Sequence, residues 1–126
     1  MKCGDTLLIP APGSGVTPHL WIICTEPTVD HLCIVVSVTT LRHNKDQTVT
    51  LYVGDHPFIR HPSIVFYADA RIVDVRRLRS DLSSRLVEDR EPCSSGLLKL
   101  VQQGIMASPF TPKKIITFYR QCSGSS

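Results

Sequence analysis

Two histidines five residues apart, His56 and His61, sit in a short stretch with Asp55 and Arg60, and a third histidine, His19, opens an apolar run far upstream. The stretch Gly54-Asp55-His56-Pro57-Phe58-Ile59-Arg60-His61-Pro62 packs acid, base and cation between two prolines and a glycine. Proline fixes φ and glycine permits tight turns, so such a loop can be compact and its side chains well aimed. Phe58 and Ile59 are out of place in a fully solvated loop and predict that it folds back onto the body. Histidine titrates near neutrality and suits both general-base and general-acid work. Arginine or lysine suits the stabilisation of a developing anion. Phosphodiester cleavage through a 2′-hydroxyl needs these parts and no metal. We read His19 and His56 as the acid–base pair, with Thr39 orienting a phosphate. Arg42, Lys45, Arg60, His61 and Ser63 are candidates for holding RNA. The opposing reading makes His56 a loop histidine bonded to Asp55 or to backbone, and His19 merely the start of a strand.

Other chemistries fit less well. Asp55, His56 and His61, with His31 and Cys33, have a ligand-like makeup, but the close ligand pairs of structural zinc are missing, so no metal is expected. No other cofactor is implied. Gly13-Ser14-Gly15 lacks the lysine and hydroxyl residue that a phosphate-binding loop needs. No cysteine lies beside a histidine in a loop. Cys24 and Cys33 fall in apolar runs and read as core residues. Trp21 and Tyr67 could stack bases, but core positions suit them better.

These residues need a scaffold, and 126 residues supply one domain's worth of core. The longest apolar run, Leu32–Val36, is far too short for a membrane span. The N-terminal residues Met1–Asp5 carry no apolar signal region, and the five cysteines show no paired spacing. A reducing cytoplasm is expected. The net charge of +3 permits a nucleic-acid partner without demanding one. Arg71, Arg76, Arg77, Arg79, Arg85 and Arg90 are offset by Asp69, Asp74, Asp81, Glu88 and Asp89, which reads as a self-compensating surface.

Strands are expected at Asp5–Ile9, His19–Cys24, Leu32–Thr39, Thr48–Val53 and Ser63–Tyr67, with Asp69–Val75 as a sixth strand or an extension of the fifth. The β-branched run from Ile34 to Thr40 suits a central strand buried on both faces. A Pro/Gly loop is predicted from Pro10 to Gly15, running on to Pro18, and a hairpin loop over Leu41–Gln47. Leu78, Leu82 and Leu86 suggest a helix over Arg76–Arg90 capped by Ser80 or Asp81. Leu97, Leu98, Val101 and Ile105 give a clearer amphipathic helix, capped by Ser94 or Ser95 and ended before Pro109. Residues 112–119 stay open between a helix, from Thr111-Pro112, and a strand, from Ile115–Tyr119. The tail Ser123–Ser126 is expected to be disordered. The fold class is mainly β with appended helices: a small barrel of five to six strands and one to three C-terminal helices.

The order of these elements resembles the PemK/MazF toxins of toxin–antitoxin modules. The resemblance rests on Gly4-Asp5 entering an apolar strand, the Pro/Gly loop, HLWIICTEP, CIVVSVTTLR and SIVFYADARIVDVRRL, and covers about Gly4 to Leu78. It implies an SH3-like barrel at about 4–78, a helical part at about 79–120 and a homodimer. The implied activity is endoribonuclease cleavage of single-stranded mRNA, held in check by a cognate antitoxin protein. Thr39 matches the family's active-site threonine. Where the family has a catalytic Arg-Pro, this chain has His19-Leu20, and the Asp55–Phe58 loop is foreign to the family pattern. The family's activity is therefore expected either to be rebuilt around histidine or to be lost.

Overall fold

The structure is a computed structural model and describes residues 1–10 and 18–122. The centre of the predicted Pro/Gly loop, residues 11–17, and the tail 123–126 lie outside the described residues.

The β-branched run forms the longest central strand but one. Among the described residues six strands are present: β1 (Thr6–Ile9), β2 (His19–Ile23), β3 (Leu32–Thr40), β4 (Thr50–Leu51), β5 (Ser63–Asp74) and β6 (Glu88–Arg90). They form one curled antiparallel sheet in the order β4-β5-β3-β2-β1-β6. Three helices follow the main strands: α1 (Val75–Ser83), α2 (Ser95–Ala107) and α3 (Lys113–Cys122). The mainly-β class with appended helices is what the sequence predicts.

Side-chain alternation divides the core into two layers. Leu20, Ile22, Ile34, Val36 and Val38 face Leu97, Val101 and Ile105 of α2 and Ile115 of α3. Trp21, Ile23, Cys33 and Val35 face Val75 and Leu78 of α1. β3 is thus buried on both faces, as its composition predicts. Tyr67, Cys24 and Cys33 are fully buried. Burial pushes the Cys33 thiol up to about 11 and the Cys24 thiol higher still. Trp21 is also a core residue, with the Arg71 guanidinium 5.1 Å from its ring centre.

The curl comes from β5. Val35 pairs with Arg71 and Ser37 with Phe66, so two steps along β3 are matched by five along β5. The surplus bends the strand, as bulges do. Asp69–Val75 is therefore the continuation of the fifth strand, up to Asp74.

Three expectations change. The 41–47 loop is no hairpin: β3 and β4 do not pair, because β5 lies between them. The fourth strand shrinks from Thr48–Val53 to Thr50–Leu51, leaving Tyr52 and Val53 exposed. The helix expected over Arg76–Arg90 ends at Ser83, and β6 follows within the supposed helical part, pairing with β1. Its cap is neither Ser80 nor Asp81 but Asp74, which accepts from the Arg76 backbone N–H at 2.8 Å. The Arg76 side chain also binds Asp74 and holds its carboxyl down, from the ordinary 3.8 to about 2.

The early stop of α1 has a clear geometry. Arg85 adopts φ +61°, the Arg85 N–H donates to Leu82 O, and the Leu86 N–H donates to Asp81 O. This is a Schellman turn with arginine in the left-handed position that usually takes glycine. Arg85→Gly is expected to raise stability by up to about 1 kcal/mol, because the left-handed conformation is unfavourable for a residue with a Cβ. Urea midpoints at constant slope would measure it.

α2 and its Ser94 cap match expectation. Between the two readings of 112–119 the helix prevails, starting directly after Thr111-Pro112. As a helix it sends Ile115 into the core beside Val101 and Ile105.

Candidate functional site

Antiparallel pairing decides which ends of the chain's strands meet. Leu20 pairs with Val38, and Thr40 pairs with Ser63. The start of β2, the end of β3 and the start of β5 therefore share one end of the sheet. His19, Thr39, Thr40 and Ser63 come together there although far apart in sequence. A cleft of about 420 Å³ opens at this end. Pro18, His19, Val38, Thr39, Thr40 and Ser63 line it from the strand ends, and Phe58, Ile59, Arg60 and His61 from the loop that leads into β5.

The loop that supplies Phe58, Ile59, Arg60 and His61 is fixed at several points. Asp55 accepts from the Tyr52 N–H at 2.7 Å and donates its own N–H to Tyr52 O, closing a turn through Gly54 at φ +105°. Ile59 is buried and Phe58 half-buried against the larger core layer. The loop folds back onto the body as its apolar pair predicts. Pro62 O accepts from the Leu41 N–H at 3.1 Å, tying the loop's exit to the end of β3.

His56 is the internal clamp of this loop. It is buried, and its Nδ1 accepts from the Phe58 N–H at 3.0 Å. Its Nε2 pairs with Glu91 O. A backbone N–H at Nδ1 places the proton on Nε2, so the ring bridges two backbone segments as a neutral imidazole. Glu91 O also accepts from Thr6 Oγ1 at 2.7 Å. His56 does not line the cleft, and both of its nitrogens are engaged. Its partners are backbone atoms, whereas Asp55 is used in the turn. His56→Ala is expected to lower stability by about 2 kcal/mol, since it leaves the Phe58 N–H without its acceptor and opens a void. A chemical denaturation curve measures this.

The two histidines of the cleft are His19 and His61. His19 Nδ1 lies 3.2 Å from Val38 O. Only a protonated Nδ1 can bond a carbonyl, so the neutral ring keeps its lone pair on Nε2. His61 is exposed, with Nε2 3.0 Å from Thr40 Oγ1. Ser63 Oγ donates to His61 O at 2.9 Å. Arg60 is exposed and forms no ion pair among the described residues. The ion pairs instead join Arg71 to Asp69, Arg76 to Asp74, Arg77 to Asp81 and Arg90 to Glu88. That surface compensates itself as its composition predicts, and the cleft keeps a positive group.

Arg42 and Lys45 are placed elsewhere. Arg42 borders a separate shallow hollow with Leu41, His43, Asn44 and Gln47. The Lys45 ammonium lies 5.1 Å from the centre of the Phe66 ring. Of the residues singled out by sequence, the structure gathers His19, Thr39, Arg60, His61 and Ser63, and separates His56, Arg42 and Lys45. Thr40 and Phe58 are additions. Thr40 was readable only through its pairing with Ser63, and Phe58 only through its place in the cleft lining.

Among the described residues no three histidine, cysteine, aspartate or glutamate side chains gather as a metal site. No helix among them is long and apolar enough to cross a membrane. What the cleft offers is a fixed imidazole lone pair, a second imidazole, a guanidinium and three hydroxyls alongside apolar lining residues. No protein-family model matches the chain, and no curated protein matches it.

Proposed function

We propose that the protein is a metal-independent endoribonuclease acting on single-stranded RNA, with His19 and His61 as the acid–base pair. The observation that carries this reading is the convergence of His19, His61, Arg60 and the Thr39, Thr40 and Ser63 hydroxyls on one cleft. In this reading His19 Nε2, with its tautomer set by Val38 O, removes the 2′-hydroxyl proton. The 2′-oxygen attacks phosphorus, and His61 in its protonated form gives a proton to the departing 5′-oxygen. Arg60 stabilises the charge on the phosphorane oxygens. Thr39 orients the phosphate, and Thr40 holds the His61 ring. The products are a 2′,3′-cyclic phosphate and a free 5′-hydroxyl. His56 passes from the acid–base pair to the scaffold.

The segments that resemble the PemK/MazF toxins support the wider proposal of a cytoplasmic toxin, active as a homodimer and inhibited by a cognate antitoxin. Arg42 and Lys45 then contact the RNA backbone outside the cleft. The test is incubation of a long single-stranded RNA with purified protein in EDTA. Defined cuts bearing cyclic phosphate ends are expected. Intact RNA with a folded protein would instead favour a non-catalytic binding module, the reading that His56's purely structural bonds favour.

A further inference from the structure

The cleft is not uniformly polar. Phe58, Val38 and Pro18 are apolar members of its lining, alongside Arg60, His19 and His61. Phe58 is half-buried, packs against the larger core layer and is among the residues that line the cleft. Its backbone N–H is bound to His56, which is itself bound to Glu91 O, so the ring is carried by an anchored backbone. An aromatic ring beside an unpaired cation suits one class of ligand: a flat apolar group joined to an anion. The volume of about 420 Å³ lies near the small end of ligand clefts, which run to roughly 1,000 Å³. It is large enough for one nucleotide-sized group.

We propose that Phe58 forms a nucleobase subsite, stacking one unpaired base of single-stranded RNA while Arg60 holds the adjoining phosphate. This rests on the reading of the cleft as an RNA site and adds how the cleft recognises single strands. Stacking on an aromatic face tolerates any base. His56 acts here as a positioning residue, because it fixes the backbone that carries Phe58 and begins the turn toward Arg60.

The experiment uses short oligonucleotides of 2′-deoxy chemistry, which bind but cannot be cleaved through a 2′-hydroxyl. One carries 2-aminopurine, whose fluorescence falls on stacking, and a second is abasic at that position. Wild-type protein is expected to quench the 2-aminopurine and to bind the base-bearing strand about tenfold more tightly than the abasic one. Phe58→Leu, which keeps the packing volume but has no aromatic face, is expected to lose the quenching and the tenfold preference. Phe58→Trp is expected to retain both. Arg60→Ala is expected to keep the quenching while lowering the salt dependence of binding by about one phosphate contact.

Equal wild-type affinity for base-bearing and abasic strands would overturn the subsite, as would unchanged quenching in Phe58→Leu. Binding of neither strand by folded protein would overturn it also. Cleavage of RNA in EDTA is scored separately. Cleavage without stacking overturns the subsite and leaves the ribonuclease reading standing. Stacking without cleavage supports the subsite and removes the ribonuclease reading.

Discussion

His19→Ala and His61→Ala proteins are each expected to cleave single-stranded RNA at least about a hundredfold more slowly than wild type while remaining folded. General acid or base catalysis by one positioned group contributes roughly 10²- to 10⁴-fold. Each variant removes one proton-transfer partner and leaves the cleft otherwise intact. Neither residue belongs to the buried core, so large unfolding effects are not expected. The double variant should be little slower than the worse single one, because groups that act as a unit are strongly non-additive. Two further readouts separate catalysis from binding. Affinity for an uncleavable strand should change far less than the rate. The rate should fall at both low and high pH, as it needs one imidazole free and one protonated. His56→Ala supplies the contrast. Measured at a temperature where it is folded, it should retain proton-transfer chemistry and keep the two-sided pH profile. If His56→Ala alone abolished cleavage while His19→Ala and His61→Ala were active, the assignment of roles would be overturned.

The largest expected effect on stability comes from a single methyl group. Gly104→Ala is expected to lower stability by about 3 kcal/mol and the melting temperature by on the order of 10 °C. On an exposed helix face the same change would stabilise by about 1 kcal/mol, since alanine is the better helix former. Gly104 is buried in the last turn of α2, facing Tyr67 of β5. A Cβ there would overlap the Tyr67 phenol and come within 2.8 Å of Val49 Cγ2. Neither neighbour can yield easily. Tyr67 is fully buried, and its hydroxyl donates to Val101 O, one turn earlier on the same helix. Overpacking therefore outweighs the gain in helix propensity. The α2–sheet contact covers the larger core layer, so the strain should also loosen the cleft end. Thermal denaturation followed by circular dichroism decides it, and a melting temperature equal to or above wild type would contradict the packing described.

The difference between Arg85 and Gly104 shows what a linear sequence reveals. Helix ends are usually readable because glycine marks the left-handed turn. α1 ends in that same turn with Arg85, so Leu78, Leu82 and Leu86 extended the apparent helix beyond its real end. Leu86 proves to be exposed, while Val87 is buried and leads into β6. β6 itself was illegible: Glu88, Asp89 and Arg90 are all exposed, and only backbone pairing with β1 makes them a strand.

Local chemistry determined much by itself. β-branched runs, alternation and proline boundaries defined β1, β2, β3 and β5, the Ser94-capped α2 and the tight Gly54 turn, because each depends on residues close in sequence. The set of cleft residues was partly legible for the same reason: histidine, arginine and hydroxyl side chains stand at strand ends where cores have no use for them. Which histidines share the cleft was not legible. His56 and His61 lie five residues apart, yet one is bound by the backbone at Glu91 and Phe58 while the other reaches Thr40. His19 and His61 are far apart in sequence and line one cleft only because β2, β3 and β5 pair antiparallel. The sequence alone determined most of the elements and the chemical types available. The tertiary structure decided the partners, because pairing register and burial, which join distant residues, choose which side chains share a cleft and which are spent on holding it.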